Sequence, residues 1–170
     1  MATESGGALT LVDRTVEHRP AVTGVSSAVT FFYSDIFSRD LGAFEGGVLH
    51  QRLEVLSKPS DAPVTYQVCL VPHDITTRPA CTEASRLSFT EPGAYQTEQT
   101  LSSLAGAAAL DLRSGLQSLM VVLRHPDGSP IDDGILERQD GQEVDITDYF
   151  PMVVRLQAMV VPQGAAFPGW

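Results

Sequence analysis

The densest set of residues that could do chemistry lies between residues 127 and 148. This interval holds eight carboxylates against one cation, Arg138. Calcium and other hard cations bind where several oxygen ligands converge, but the spacing does not follow the EF-hand pattern. Two acidic solvated turns are therefore the simpler interpretation, and cation binding between subunits is the alternative. The candidate ligands are Asp127, Asp132, Asp133, Asp140, Asp145 and Asp148.

The histidines and cysteines do not form a recognisable metal motif. Zinc sites usually contain a CxxC or HxxxH pair that places two ligands on one turn, and neither pair occurs here. We therefore predict no metal and no cofactor. His50 falls on the polar face of a predicted strand, where we expect it to be solvated. Cys69 and Cys81 are the only cysteines. Because no secretory signal is evident, two buried free thiols are favoured, with a disulfide as the alternative.

Motifs for catalysis are absent from the sequence. No serine lies in a G-x-S-x-G elbow, and neither a glycine-rich phosphate loop nor a dinucleotide fingerprint occurs. A pair of carboxylates acting on a glycoside stays open, because the distance between two carboxyl groups is a property of the folded chain. We expect no enzyme activity and no small-molecule substrate.

The charge balance argues against binding to nucleic acid. The net charge is −10, Lys58 is the only lysine beside ten arginines, and the first twenty residues contain no basic arm. Binding to phosphates depends on clustered cations that release counterions. An acidic, lysine-poor composition is typical of proteins from high-salt environments, and a GC-rich coding sequence also produces arginine in place of lysine. Both origins stay open.

Apolar residues alternate with polar ones along most of the chain, which is typical of strands. Residues 47–72 are predicted to form two antiparallel strands joined by a turn over residues 57–63, with one dry and one wet face. The wet face would carry His50, Arg52, Glu54, Thr65 and Gln67. Further strands are predicted at residues 8–12, 28–37, 86–90, 94–100, 116–125, 135–138, 144–149 and 152–161.

These elements predict an all-β protein, a single jelly roll or β-sandwich of about eight to ten strands. The run 119–123 is apolar at every position, so both faces of that strand should be covered. The one short helix is predicted at residues 101–110, where it would cap one end of the sandwich. We predict one domain over residues 1–170, with a frayed N-terminus at 1–7 and an irregular C-terminal tail at 162–170.

The C-terminal tail carries two large aromatic side chains, Phe167 and Trp170. Such side chains are unfavourable when left in water. Either they fold back on their own domain or they contact a neighbouring subunit. Both residues are therefore the candidates for a subunit interface.

The chain resembles two groups of viral proteins, one through a local stretch of sequence and one through its overall properties. Residues 58–80 resemble the middle of tymovirus-type coat proteins, through Pro59, Ala62-Pro63, the Cys69-Leu70-Val71-Pro72 strand end and Pro79-Ala80. In size, all-β pattern, acidity and lysine depletion, the chain also resembles the smaller major capsid protein of membrane-containing icosahedral viruses of halophilic archaea.

The resemblances imply a structural virion protein, a capsid shell subunit that assembles with itself and with a second capsid protein. They also imply capsomers of single jelly rolls over an internal membrane, with no direct contact to nucleic acid. The alternative is a non-catalytic recognition β-sandwich, either carbohydrate-binding or a virion attachment module. An enzyme on a β-sandwich scaffold is the third interpretation.

Overall fold

The computed structural model describes residues 4–5, 7–18, 29–32, 42–72, 86–102, 116–128 and 151–170. Within these ranges the chain is built from nine strands and one short 3-10 helix, Gly42–Phe44. The strands are β1 (Glu4–Ser5), β2 (Ala8–His18), β3 (Val29–Phe32), β4 (Val48–Ser57), β5 (Val64–Pro72), β6 (Arg86–Phe89), β7 (Gly93–Thr100), β8 (Leu116–Arg124) and β9 (Met152–Val161).

The strands pair as if one long hairpin had been rolled up. Strand β2 pairs with β9, β3 with β8, β4 with β7, and β5 with β6, always antiparallel. The roll is joined into two sheets because β9 also pairs with β4, and β8 with β5. The sheet orders are β1-β2-β9-β4-β7 and β3-β8-β5-β6. This is a jelly roll, and the predicted all-β fold is confirmed.

The core lies between the two sheets and follows the period of two. In β9 every second side chain faces inward and is at most 1% exposed, from Met152 to Val160. Each fully buried aliphatic side chain contributes about 1.5–3 kcal/mol by leaving water. The largest fully buried side chains are Tyr66, Leu9, Leu49, Leu53, Leu70, Leu101 and Leu123.

The predicted pairing of the two strands in residues 47–72 is wrong. Strand β4 lies in the five-stranded sheet and β5 in the four-stranded sheet, so the connector crosses from one sheet to the other. Lys58 holds this connector, since its Nζ donates to the carbonyl oxygens of Ser60 and Ala62. Turn residues mark where a strand ends, but they do not say which sheet the chain enters next.

The other predicted strands differ from the observed ones mainly in where they begin and end. Strand β9 has the predicted bounds, whereas β2 continues to His18 past an irregularity between Thr10 and Val12. Residues 4–5 of the segment expected to fray form β1 and pair with β2. Leu101 and Ser102 are helical. The rest of the predicted helix, the strands at 135–138 and 144–149, and Cys81 lie outside the described residues.

Gly47 ties the start of β4 to the end of β9. A Cβ at this position would lie 2.2 Å from the carbonyl oxygen of Val161, so only glycine fits without a backbone shift. Its amide donates to the carbonyl of Phe44 at 2.8 Å, and its own carbonyl accepts from the amide of Leu101 at 3.1 Å. This close approach sets the position from which the C-terminal tail leaves β9.

Candidate subunit-contact surface

Five polar side chains from three strands form a ring-shaped cluster on the outer face of the five-stranded sheet. Arg155 on β9 donates two hydrogen bonds to Asp13 on β2, at 2.9 and 3.0 Å. Gln157 Nε2 donates to Asp13 at 3.4 Å, and Gln157 Oε1 accepts from Arg52 on β4 at 3.3 Å. Arg52 lies 3.9 Å from Glu54, which faces Arg155 across the strand pair. We call these residues the outer polar ring.

The charges in the outer polar ring cancel, because it holds two carboxylates and two guanidinium groups. The hydrogen bonds from Arg155 hold the pKa of Asp13 below its usual value, and Asp13 raises the pKa of Arg155 in return. Both side chains are 42% exposed. Exposed ion pairs contribute only about 0–1 kcal/mol because water screens them. The ring therefore sets the chemical character of this face more than it stabilises the fold.

His50 lies beside the ring on β4 and is covered by the C-terminal tail. The ring of Phe167 stacks on the imidazole, with centroids 4.1 Å apart and planes 12° from parallel. Glu98 on β7 approaches His50 Nδ1 at 3.5 Å. His50 is only 8% exposed. The expectation that it is solvated is wrong, because a segment more than a hundred residues away in sequence folds over it.

The two predicted contact residues lie together. Trp170 packs edge-to-face on Phe167 with centroids 5.3 Å apart, and it stays 38% exposed. The tail begins with a turn in which the amide of Ala165 donates to the carbonyl of Pro162 at 3.1 Å, and Gly164 has a φ of +80°. Phe167 thus covers its own sheet, while Trp170 offers an apolar surface to solvent.

The outward face of β5 is buried, unlike the outer polar ring. Thr65 and Gln67 are each 4% exposed and Cys69 is fully buried. Thr65 Oγ1 lies 3.0 Å from Ser88 Oγ on β6. Cys69 is disulfide-bonded and the described residues contain no free cysteine. The expected free thiol at Cys69 is therefore wrong, and so is the expected wet face at Thr65 and Gln67.

A polar pair bridges the two sheets inside the core. His18 Nε2 on β2 lies 3.5 Å from the hydroxyl of Tyr66 on β5, and the two rings meet edge-to-face at 5.8 Å. Burial raises the pKa of Tyr66, so this hydroxyl stays neutral. On β4, Gln51 accepts from Thr97 at 3.4 Å, while its buried amide nitrogen has no hydrogen-bond partner among the described residues. The His–Tyr pair joins the sheets and is closed to solvent.

The acidic region is represented by Asp127 alone, since the other five candidate aspartates lie outside the described residues. Asp127 is exposed in a turn whose Gly128 amide donates to the carbonyl of His125 at 2.9 Å. The described parts of the chain hold no group of three potential metal ligands. Cation binding by these aspartates stays a prediction.

A shallow cleft opens where the turn between β6 and β7 meets two connections. Its volume is about 410 Å³, and its lining residues are Pro63, Ser88, Phe89, Thr90, Glu91, Tyr95 and Pro126. The Tyr95 ring packs on Phe89 at 5.3 Å, and its hydroxyl donates to the carbonyl of Glu91 at 2.7 Å. No sequence signal pointed to this cleft, because its walls come from β6, β7 and residues of separate connections.

Within the described ranges, no helix combines the length and apolar character that a membrane crossing requires. Neither a known protein family nor a curated protein matches the chain. Among solved structures, the chain is similar to the coat protein of tobacco streak virus, solved as a dimer. The match covers 98% of this chain and 93% of that one, at 9% sequence identity and a TM-score of 0.38. The fold assignment therefore rests on the strand order itself.

Proposed function

We propose that the chain is a structural, non-catalytic virion protein that forms part of a capsid shell. The observation that carries the proposal is the strand order of the two sheets, because viral capsid subunits are a major class of eight-stranded jelly rolls. Lectins and cupins share this fold, and a fold alone does not define a function. The resemblance of the sequence to viral coat proteins favours a shell subunit over these alternatives.

The proposed contact surface is the tail and the face beneath it. Trp170 is exposed beside the stacked pair of Phe167 and His50. Tryptophan side chains that are exposed on a free subunit are enriched in the buried centres of protein interfaces once the partner is bound. A neighbouring subunit that covers Trp170 would remove apolar surface from water without unfolding the tail.

The proposed partners come from the resemblance to viral capsid proteins, and the net charge bears on how they would assemble. A chain with a net charge of −10 repels nucleic acid and its own copies at low ionic strength. At 0.1 M salt the Debye length is about 10 Å, so repulsion between charges that lie farther apart than this is largely screened. We infer assembly of this chain with itself and with a second capsid protein, in an icosahedral virion where an internal membrane separates shell and genome. Assembly should strengthen as salt is raised.

Electron microscopy of the purified chain at high salt tests the proposal. Closed or ring-shaped particles built from many copies are the expected result, and their number should fall when the sample is returned to low salt. Particles of uniform single-subunit size at every concentration and salt level would contradict a role in a shell.

Replacing Trp170 tests the contact surface. Trp170→Ala should reduce the yield of large particles by tenfold or more, since aromatic anchors at interfaces contribute about 2 kcal/mol or more. Leu56→Ala is the matched control, because Leu56 is the other large exposed apolar side chain among the described residues, at 49%. Sedimentation velocity of both variants measures the yield. An unchanged yield for Trp170→Ala, or an equal loss for Leu56→Ala, would remove Trp170 from the interface.

The cleft beside Tyr95 favours a second candidate function, a recognition module for a carbohydrate. Sugars bind where an aromatic ring lies among hydroxyl and carboxylate groups, and Tyr95 lines the cleft together with Ser88, Thr90 and Glu91. Saturable glycan binding by a monomer, abolished by Tyr95→Ala, would support this function. Absence of binding across a broad glycan array would exclude it.

A further inference from the structure

The C-terminal tail, residues 162–170, meets the rest of the domain at two places. At its root, the side chain of Gln163 lies over Gly46, where an added Cβ would collide with it. Farther along, Phe167 is partly buried, and every other residue from 163 to 170 is exposed. The position of the distal half of the tail therefore depends on where this one side chain is seated.

The seat of Phe167 is the imidazole of His50, on which its ring stacks at 4.1 Å. Glu98 lies directly opposite His50 in the β4–β7 pair and approaches its Nδ1 at 3.5 Å. The Glu98 side chain is 71% exposed, so water screens this contact and the stacked rings hold the tail. His50 itself is only 8% exposed and offers little surface to a partner. Its effect on an interface must therefore pass through the tail.

Trp170 is held by Phe167 in turn. The two rings meet edge-to-face, with centroids 5.3 Å apart and planes at 70°. Between them Gly169 has a φ of +89°, a left-handed conformation that glycine adopts without strain and that brings Trp170 back onto Phe167. The contacts thus form a series from His50 to Phe167 to Trp170. It begins on β4, which is paired on both sides, and ends at an exposed aromatic side chain.

We propose that His50 is the positioning residue of the contact surface, and that through Phe167 it holds Trp170 against the domain before a partner binds. The inference rests on the proposed role of Trp170 as a subunit contact, and it names the residue that controls that contact. A tail that is already ordered loses less conformational freedom on binding than a free one, so it binds more tightly. A stacked pair of rings shifts such an equilibrium by about two- to tenfold.

Fluorescence of the monomer at low salt tests the positioning directly. Trp170 is the only tryptophan, so its emission reports on the tail alone. In His50→Ala the emission should move to longer wavelength, and acrylamide quenching should rise toward the value of a free peptide of residues 162–170. His125→Ala is the matched control and should change neither, because His125 follows β8 in the other sheet. Unchanged emission and quenching in His50→Ala would overturn the proposal.

Two further variants separate positioning from a general loss of structure. His50→Phe keeps a ring beneath Phe167 and should restore the emission of the unmodified chain. Phe167→Ala leaves β4 intact and should reproduce the emission of His50→Ala. Combining these two alanine substitutions should add no further change, since both remove the same contact. Additive changes, or no recovery with His50→Phe, would mean that His50 acts on the fold rather than on the tail.

Sedimentation velocity at high salt links the tail to assembly and separates the two proposals. His50→Ala should lower the yield of large particles about two- to tenfold, and should lower it no further in a chain that already carries Trp170→Ala. If His50→Ala releases the tail but keeps the full yield, the shell is retained and the role of His50 in the contact is refuted. If the unmodified chain stays monomeric while the fluorescence changes appear, His50 positions the tail and the shell is refuted.

Discussion

Strands β4 and β5 have the same alternation of apolar and polar residues, yet the outward side chains of β4 are partly exposed to solvent and those of β5 are buried. The outward face of β4 carries Arg52 and Glu54 in the partly solvated outer polar ring. The outward face of β5 carries Thr65, Gln67 and Cys69, all at most 4% exposed. Alternation identifies one apolar face with confidence. It does not say whether the polar face meets water or another layer of the protein.

The difference lies in what covers each strand. On β4 the tail covers His50, through Phe167, while the outer polar ring stays partly open. On β5 every outward side chain from Thr65 to Cys69 is buried, and Cys69 is held by a disulfide. Short polar residues such as threonine and glutamine suit either environment, provided that their hydrogen bonds are satisfied when buried.

The largest effect should come from placing a charge on the covered face. Gln67→Glu would bury a carboxylate, and an uncompensated buried charge costs about 3–5 kcal/mol. The same change at exposed Gln96 on β7 should alter the free energy of unfolding by no more than about 0.5 kcal/mol. Urea denaturation measures both. Similar small effects at the two positions would mean that β5 is solvated in solution.

Loss of the disulfide at Cys69 should come next. Removing a native disulfide typically costs about 2–5 kcal/mol, so Cys69→Ala should lower the unfolding midpoint markedly. The unmodified chain treated with a reductant is the control and should approach the variant, while the variant itself should not respond to the reductant. A reductant-insensitive midpoint for the unmodified chain would contradict a stabilising bond on β5.

The smallest effect should appear on the open face. The pKa of Asp13 is lowered in the folded protein, so its contribution is present above the carboxyl pKa of the unfolded chain, about 3.9. It is lost as the pH falls through the folded value. Asp13→Asn should cost less than about 1 kcal/mol near pH 7, and this cost should shrink as the pH falls through the folded pKa of Asp13. A cost that does not shrink on acidification would mean that the pair acts through packing rather than charge.

The fold could be predicted to a large extent because strand periodicity is local. Strand β9 was predicted with its observed bounds, and the run 119–123 was expected to be covered on both faces. Val121, Val122 and Leu123 are indeed buried. The pairing of strands could not be obtained this way. Residues 58–63 look the same whether the chain returns within a sheet or crosses to the other one, since turn residues fix local backbone angles only.

The candidate site was predictable only in part. Phe167 and Trp170 were found because two large aromatic residues in an irregular tail require cover. The outer polar ring was not found, since Asp13 and Arg155 are 142 positions apart in sequence. His50 was expected in water for the same reason, because the side chain that covers it belongs to the tail. Contacts between distant segments leave no periodic signal in one sequence.

Sedimentation velocity of the unmodified chain across a wide range of salt tests the central claim most directly. A shell subunit with a net charge of −10 should form species far larger than its 18.3 kDa monomer, and these should grow in number as salt screens the repulsion. A strict monomer at every salt concentration, at protein concentrations well above those that saturate typical interfaces, would contradict the proposal that this jelly roll builds a shell.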